Sequence, residues 1–299
     1  MRQVLKAMLS SLARRGGMIS RPRKRLAGKV GVVIPTINSG RYIDLILAYY
    51  HELSIPVTVF IDSKSKDNTA EVAKLFAHEV VTLSNPTPRV GEIIQPMSDH
   101  CDTEWVLRMD DDELPSVDML WFIQSIVESR ACDVVGFPRY QALIGCDQLL
   151  FDRTQDSDIH RQWRLYRPDR VRFHGKGHTP GFDFKERRAL KAPADALMIH
   201  LDWVVHSPEE RIRKLQRYEA HTPGHGWSRW DHYLGDTVPD LAARLHPLPL
   251  KEFSRTCRYL AARFPSTVVG SGTRRPVHTR PRHSRLDAIE SEASPALRL

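Results

Sequence analysis

The chain has 299 residues, 41% of them hydrophobic and 27% charged, with a formal net charge of +8. That size suits one sizeable α/β domain with appendages, and four cysteines without Cys-x-x-Cys spacing point to reduced thiols rather than a zinc site or a disulfide framework. No run approaches the ~18 apolar residues of a membrane span and no secretory leader pattern opens the chain, so a cytoplasmic location is expected.

The positive charge is local. Residues 1–29 hold nine Lys/Arg and no acid, which leaves 35 basic and 36 acidic side chains for the other 270. Leu5, Met8, Leu9 and Leu12 recur there at helical spacing, followed by Arg21-Pro22-Arg23-Lys24-Arg25. The pattern suits a flexible or amphipathic arm in peripheral contact with the inner face of an anionic membrane. It lacks the aromatic interleaving or the module of a nucleic-acid binder, so no nucleic-acid partner is expected.

Ordered structure begins at Val30. Val30-Gly31-Val32-Val33-Ile34, ended by Pro35, reads as a buried parallel strand. Gly40 opens a helix with Ile43, Ile46, Leu47, Tyr50 and Leu53 on one face. Val57 to Ile61 is a second strand that ends on Asp62, and a second helix is expected over residues 67–77 with Asp67 as its N-cap. This alternation implies right-handed crossovers and a ligand crevice beyond the carboxyl ends of a parallel sheet. A third apolar strand then runs into Asp110-Asp111-Asp112-Glu113 and stops at Pro115. Carboxylates this dense repel one another, and a hard divalent cation bound through oxygen would keep them ionised. Thr36 to Ser39, Asp62 to Asp67 and Asp110 to Glu113 thus fall at three strand ends.

A helix over 117–129 and a strand over 132–138 continue the scaffold. Residues 139–191 read as irregular, the place for acceptor-recognising loops, with Arg164-Leu165-Tyr166-Arg167 and the glycine-rich stretch around His178. Ala196 to Trp203 reads as a strand carrying His200. Ser207-Pro208-Glu209-Glu210 is a helix start with a capping box, and Glu209 with Arg213 and Glu210 with Lys214 are expected as i,i+4 pairs. A helical hairpin is expected over 228–264, then a polar, disordered tail over 265–299.

Val33-Ile34-Pro35-Thr36, Ile61-Asp62-Ser63-Lys64-Ser65-Lys66-Asp67-Asn68-Thr69 and Asp110-Asp111-Asp112-Glu113, in this order, resemble the family 2 glycosyltransferases of the GT-A fold, over residues 30–220 or so. The branch most resembled includes sugar transferases of bacterial envelope polysaccharide assembly. The resemblance implies an α/β, Rossmann-like GT-A fold: a mostly parallel mixed sheet flanked by helices, with a helical C-terminal extension. The expected organisation is a basic arm (1–29), a catalytic domain (30–222), a helical extension (223–264) and the tail (265–299). It further implies donor binding by Pro35, Thr36, Asp62, Ser63, Arg89, Asp110 and Asp111, with Arg89 toward the pyrophosphate. A divalent metal, Mn2+ or Mg2+, is implied on Asp110 and Asp112, with His200 as the family's late histidine.

The implied activity is metal-dependent, inverting transfer of a sugar from a nucleoside diphosphate sugar to a glycan or lipid-linked acceptor hydroxyl. Two departures stand out. Ser63 occupies a place where the family commonly has a second aspartate, and His178-Thr179 stands where related enzymes often read His-Glu. The base is therefore expected in the 175–186 segment, as His178 or Asp183, with Glu186 and Asp202 next. Two rivals are a GT-A-shaped nucleotide-sugar-binding protein without transferase activity and a nucleotidyltransferase. The latter should show a glycine-rich basic loop after its first strand, which Ile34-Pro35-Thr36-Ile37-Asn38 lacks.

Overall fold

The computed structural model describes residues 26, 28–85, 90–145, 149–152, 161–175, 180–224, 230–237, 241, 245–248 and 254–267. Residues 1–25 of the basic arm, Arg89, His178 and residues 268–299 of the tail lie outside these. Strands β1 (Val30–Thr36), β2 (Val57–Asp62), β3 (Glu79–Leu83) and β4 (Trp105–Arg108) pair in parallel, with β1 between β2 and β4. Beyond β4 the sheet continues through β9 (Gln162–Tyr166), antiparallel to both neighbours, then β6 (Val134–Phe137) and β12 (Ala189–Lys191). The result is a seven-stranded, mostly parallel mixed sheet flanked by helices, the α/β architecture that the sequence predicts.

The strand pleat sorts the side chains into two layers. Val30, Val32 and Ile34 of β1, Val57, Val59 and Ile61 of β2, and Trp105 and Leu107 of β4 share one apolar cluster with helices α1 (Ile43–Glu52) and α4 (Val117–Ser129). The intervening Val33, Phe60 and Val106 face the other way. They pack with Ile94 and Met97 of α3 (Ile94–Asp99), Tyr166, and the hairpin of β10 (Arg172–Phe173) and β11 (Phe182–Asp183). Runs buried on both faces explain why these strands are continuously apolar.

A second, five-stranded sheet, ordered β14-β8-β7-β13-β5, is built from β5 (Glu113–Pro115), β7 (Arg139–Ile144), β8 (Leu149–Asp152), β13 (Met198–His200) and β14 (Leu245–Leu248). Strand β5 leaves the acidic turn and pairs antiparallel with β13, His200 opposite Glu113. The late histidine is thereby delivered to the acids by backbone hydrogen bonding.

Several expectations are corrected. The second helix, α2 (Thr69–Ala73), is shorter than 67–77 and begins after Asn68, with Asp67 outside it. Residues 139–191 hold β7 to β12 rather than loops alone; in β9 the inward Arg164, held by Asp110 and Glu113, breaks the apolar alternation. In α6 (Pro208–His221) the capping box forms, with Ser207 Oγ accepting from Glu210 N and Ser207 N donating to Glu210. The second expected pair does not: Glu210 takes Arg41 at 2.5 Å instead. The extension contains α7 (Trp230–Leu234), β14 and α8 (Ser254–Arg263), so it is mixed rather than a helical hairpin. Helix α8 is pinned to α1 by Arg263 donating to Asp44 at 2.8 and 3.0 Å. Among the described residues no helix is long and apolar enough to cross a membrane.

Candidate active site

The loops after β1 and β2 are laced together. Asn38, at φ +53° in the left-handed region that asparagine tolerates, accepts from Lys66 N at 2.7 Å. Asp67 accepts from Gly40 N at 2.9 Å and from Thr69 N at 3.1 Å. A Cβ at position 40 would collide with Asn68 Oδ1 and meet the Thr69 backbone N at 3.0 Å, so a larger residue there requires the Asn68 side chain to move. Of the expected donor residues, Pro35 and Thr36 are buried at the end of β1, while Asp62 is half-buried and Ser63 exposed after β2. Asp62 Oδ1 accepts from Lys64 N at 2.8 Å, which makes it a cap on its own turn.

The acidic stretch is a tight turn closed twice. Glu113 N donates to the Asp110 carbonyl at 3.1 Å, and Asp110 N donates to Glu113 Oε2 at 2.9 Å. The closure sends three consecutive aspartates to three different environments.

Asp110 goes to arginine. Arg164 of β9, only 1% exposed, donates to Asp110 at 3.1 and 2.5 Å and to Glu113 at 2.7 Å, and Arg108 adds a bond to Asp110 at 3.1 Å. Burial opposes the charge, yet Arg164 and then Arg108 hold Asp110 far below the usual carboxylate range. Burial and the charge of Arg164 together push Arg108 down to about 10.

Asp111 turns toward β1 and α1. It accepts from Thr36 Oγ1 at 2.6 Å and from Tyr42 Oη at 3.3 Å. Burial first, and the Asp112 charge second, push it up to about 6. The folded chain holds this proton more tightly than an unfolded chain, whose aspartates titrate near ~4. The stabilising effect is therefore complete below that pH and is lost as pH rises through about 6. In metal-free buffer Asp111→Asn is expected to raise stability at pH 7.5 by about 1–2 kcal/mol and to change it little at pH 4. Thermal melts with a chelator at both values check this, and equal midpoints for variant and parent at pH 7.5 would mean the carboxylate carries no penalty.

Asp112 turns toward the histidines. Its Oδ1 lies 3.3 Å from His200 Nε2 and its Oδ2 3.9 Å from His206 Nδ1. Asp202, at the start of α5 (Asp202–Val205), lies 3.1 Å from His206 Nδ1 and 3.4 Å from Lys214 Nζ. His206 Nε2 in turn meets Tyr42 Oη at 3.2 Å. Burial works against both charges, but His200 lowers Asp112, and Lys214 with His206 lowers Asp202 strongly. Behind His200 stands His232 of α7, stacked at 5.9 Å, and its carbonyl accepts from Trp203 Nε1 at 3.1 Å. Arg211 of α6 fixes this segment through buried bonds to Asp236 at 2.6 and 2.8 Å.

Asp112, His200 and Asp202 each offer a buried ligand atom, all within 4.8 Å of one another. Asp202 Oδ2 is buried with no hydrogen-bond partner among the described residues. A buried carboxylate oxygen left unpaired is costly unless a cation takes it, and two carboxylates with one imidazole fit a divalent ion such as Mn2+. Asp110 stands outside this group, its oxygens on guanidinium. Asp202, considered from sequence only as a base, stands inside it.

Of the other expected base candidates, His178 lies outside the described residues and two are exposed. Asp183 is on β11 with its side chain 70% exposed, 3.6 Å from His174, and Glu186 is exposed as well. Tyr42, His206 and Lys214 are not among the site residues expected from sequence, and Arg164, expected among acceptor-recognising loops, instead holds Asp110 and Glu113.

No protein-family model matches the chain and no curated protein matches its sequence. Among solved structures it is similar to S. aureus TarS 1–349, with 16% identity over 80% of this chain and 90% of that one and a TM-score of 0.42. The same protein in complex with UDP gives 14%, 81%, 81% and 0.42. A 4-diphosphocytidyl-2C-methyl-D-erythritol synthase from Anaerococcus prevotii gives 14%, 48%, 73% and 0.31. These likenesses are too distant to assign an activity, so the functional reading rests on the side chains.

Proposed function

We propose that the protein transfers a sugar from a nucleoside diphosphate sugar to a hydroxyl of a glycan or lipid-linked acceptor, with inversion at the anomeric carbon. The observation that carries this reading is the convergence, at the carboxyl ends of β1, β2 and β4, of two interlaced loops and the buried group Asp112, His200 and Asp202 with its unpaired oxygen. Crevices at that end of a parallel sheet are where such folds take nucleotides. Pro35, Thr36, Asp62 and Ser63 would border the nucleotide, Arg89 would reach the pyrophosphate, and Thr36 and Tyr42 would hold Asp111 against the donor. A divalent ion on Asp112, His200 and Asp202 would neutralise charge on the departing diphosphate. The bond from the anomeric carbon to the diphosphate oxygen breaks, a bond to the acceptor oxygen forms, and the acceptor proton passes to a base. His178 and Asp183 are proposed for that role, and the basic arm for contact with an anionic membrane surface on the cytoplasmic side.

The test is nucleoside diphosphate release from UDP-, GDP-, dTDP- and CDP-sugars, with and without Mn2+. Metal-dependent release with one donor class supports transfer. Pyrophosphate release from a nucleoside triphosphate and a sugar phosphate would identify a nucleotidyltransferase, and thermal stabilisation by nucleotide without turnover would identify a binding protein. His178→Ala and Asp183→Asn are each expected to slow transfer by about a hundredfold with nucleotide affinity little changed, as for loss of a general base. Parental rates in both variants would place the base elsewhere.

A further inference from the structure

Lys214 lies on α6, one turn beyond Glu210, where a local i,i+4 pair would be natural. It is not made, because Glu210 Oε2 is taken by Arg41 at 2.5 Å and by Ser207 N at 2.7 Å. The Lys214 ammonium reaches the acidic centre instead, 3.4 Å from Asp202 Oδ1 and 4.9 Å from the centre of the Tyr233 ring. Its side chain keeps 27% exposure, so it is half-buried beside Asp202 rather than enclosed in the core. Asp112 and Tyr218 also act on it electrostatically. The ammonium thus stands on one oxygen of Asp202 while the other, Oδ2, is buried without a hydrogen-bond partner among the described residues.

We infer that Lys214 is the resident counter-cation of the metal centre: it neutralises Asp202 while no divalent ion is bound, weakens binding of the ion alone, and makes ion and nucleoside diphosphate bind together. This rests on the proposed metal-assisted reading of the site. The physical step is Coulombic. One positive charge about 5 Å from a divalent ion, in a water-like dielectric, lowers its affinity roughly tenfold. A diphosphate beside the ion gives the ammonium a second partner, drawing it off Asp202 Oδ1 and releasing that carboxylate oxygen to the ion, so each ligand raises the affinity for the other by the same factor. A lysine acting only as a structural pin for Asp202 predicts the opposite sign, since its loss would slacken a ligand and weaken the ion.

The experiment measures Mn2+ binding to the full chain by electron paramagnetic resonance, with and without UDP, for the parent, Lys214→Met, Lys214→Arg and Asp112→Asn. Lys214→Met is expected to bind Mn2+ alone roughly tenfold more tightly and to show a UDP enhancement smaller than the parent's by up to about the same factor, the direct attraction between ion and diphosphate remaining. Lys214→Arg, which keeps the charge, is expected to follow the parent and guards against misfolding of the methionine variant. Weaker or unchanged Mn2+ binding in a folded Lys214→Met, against a parent site that Asp112→Asn abolishes, overturns the counter-cation role alone. A parent that binds no Mn2+ at millimolar concentration, with or without UDP, overturns the metal reading and this inference with it.

Discussion

Asp112→Asn is expected to abolish divalent-dependent nucleotide binding and to depress sugar transfer by at least about a thousandfold. The substitution keeps the volume of the side chain and removes the charge from the one aspartate of the turn that faces both histidines, 3.3 Å from His200 and 3.9 Å from His206. Its effect on the metal-free protein should differ in sign from that of Asp111→Asn next door. His200 and Lys214 outweigh the burial of Asp112 and lower its pKa, so the fold favours its charged form. That stabilisation is present at neutral pH and is lost on acidification. Removing the charge should therefore cost about 1 kcal/mol at pH 7.5, where removing the Asp111 charge gains a similar amount. Nucleotide-induced thermal shifts with Mn2+ and with chelator measure both parts. An Asp112→Asn protein that UDP and Mn2+ still stabilise together as strongly as the parent would exclude Asp112 from the centre.

The strand ends were legible because apolar runs stop there on polar residues, and three such stops in order mark one edge of a sheet. The Ser207 capping box was legible for the same local reasons, whereas His200 stood out through the resemblance. What local pattern could not supply is the partner of each acid. Asp110, Asp111 and Asp112 are identical in type, and only the closed turn sends them apart, to Arg164, to Thr36, and to His200. Arg164 belongs to a strand inserted antiparallel between β4 and β6, a pairing set by topology across 54 positions of sequence rather than by neighbours. Lys214 shows the same limit on a smaller scale, since its i,i+4 partner is captured by Arg41, 169 positions away. A usable signal did exist: Lys214 adjoins Leu215 on the buried side of α6, where a lysine needs an acid to face.

Arg164→Met is expected to destabilise the protein by about 3–5 kcal/mol at pH 7.5, the largest stability effect anticipated for a single substitution here. The guanidinium is 1% exposed and spans two carboxylates, Asp110 at 2.5 and 3.1 Å and Glu113 at 2.7 Å, with Glu113 itself 0% exposed. Methionine fills much of the volume but leaves these acids with Arg108 and Arg139, each a single bond, at 3.1 and 3.2 Å. The pH dependence has a definite sign. Arg164 is the first of the charges that, against burial, depress the Asp110 pKa, so the parent's advantage is complete above the ordinary carboxylate range and shrinks as pH falls below ~4. Urea unfolding of parent and variant at pH 7.5 and 4 tests magnitude and sign together. Arg164→Lys keeps the charge without the planar fork and should recover only part of the loss, since one ammonium cannot serve both acids with the same geometry. A cost under about 1 kcal/mol for Arg164→Met at neutral pH, of the size seen for exposed pairs, would mean that water reaches these carboxylates and that the turn is held in place by its backbone alone.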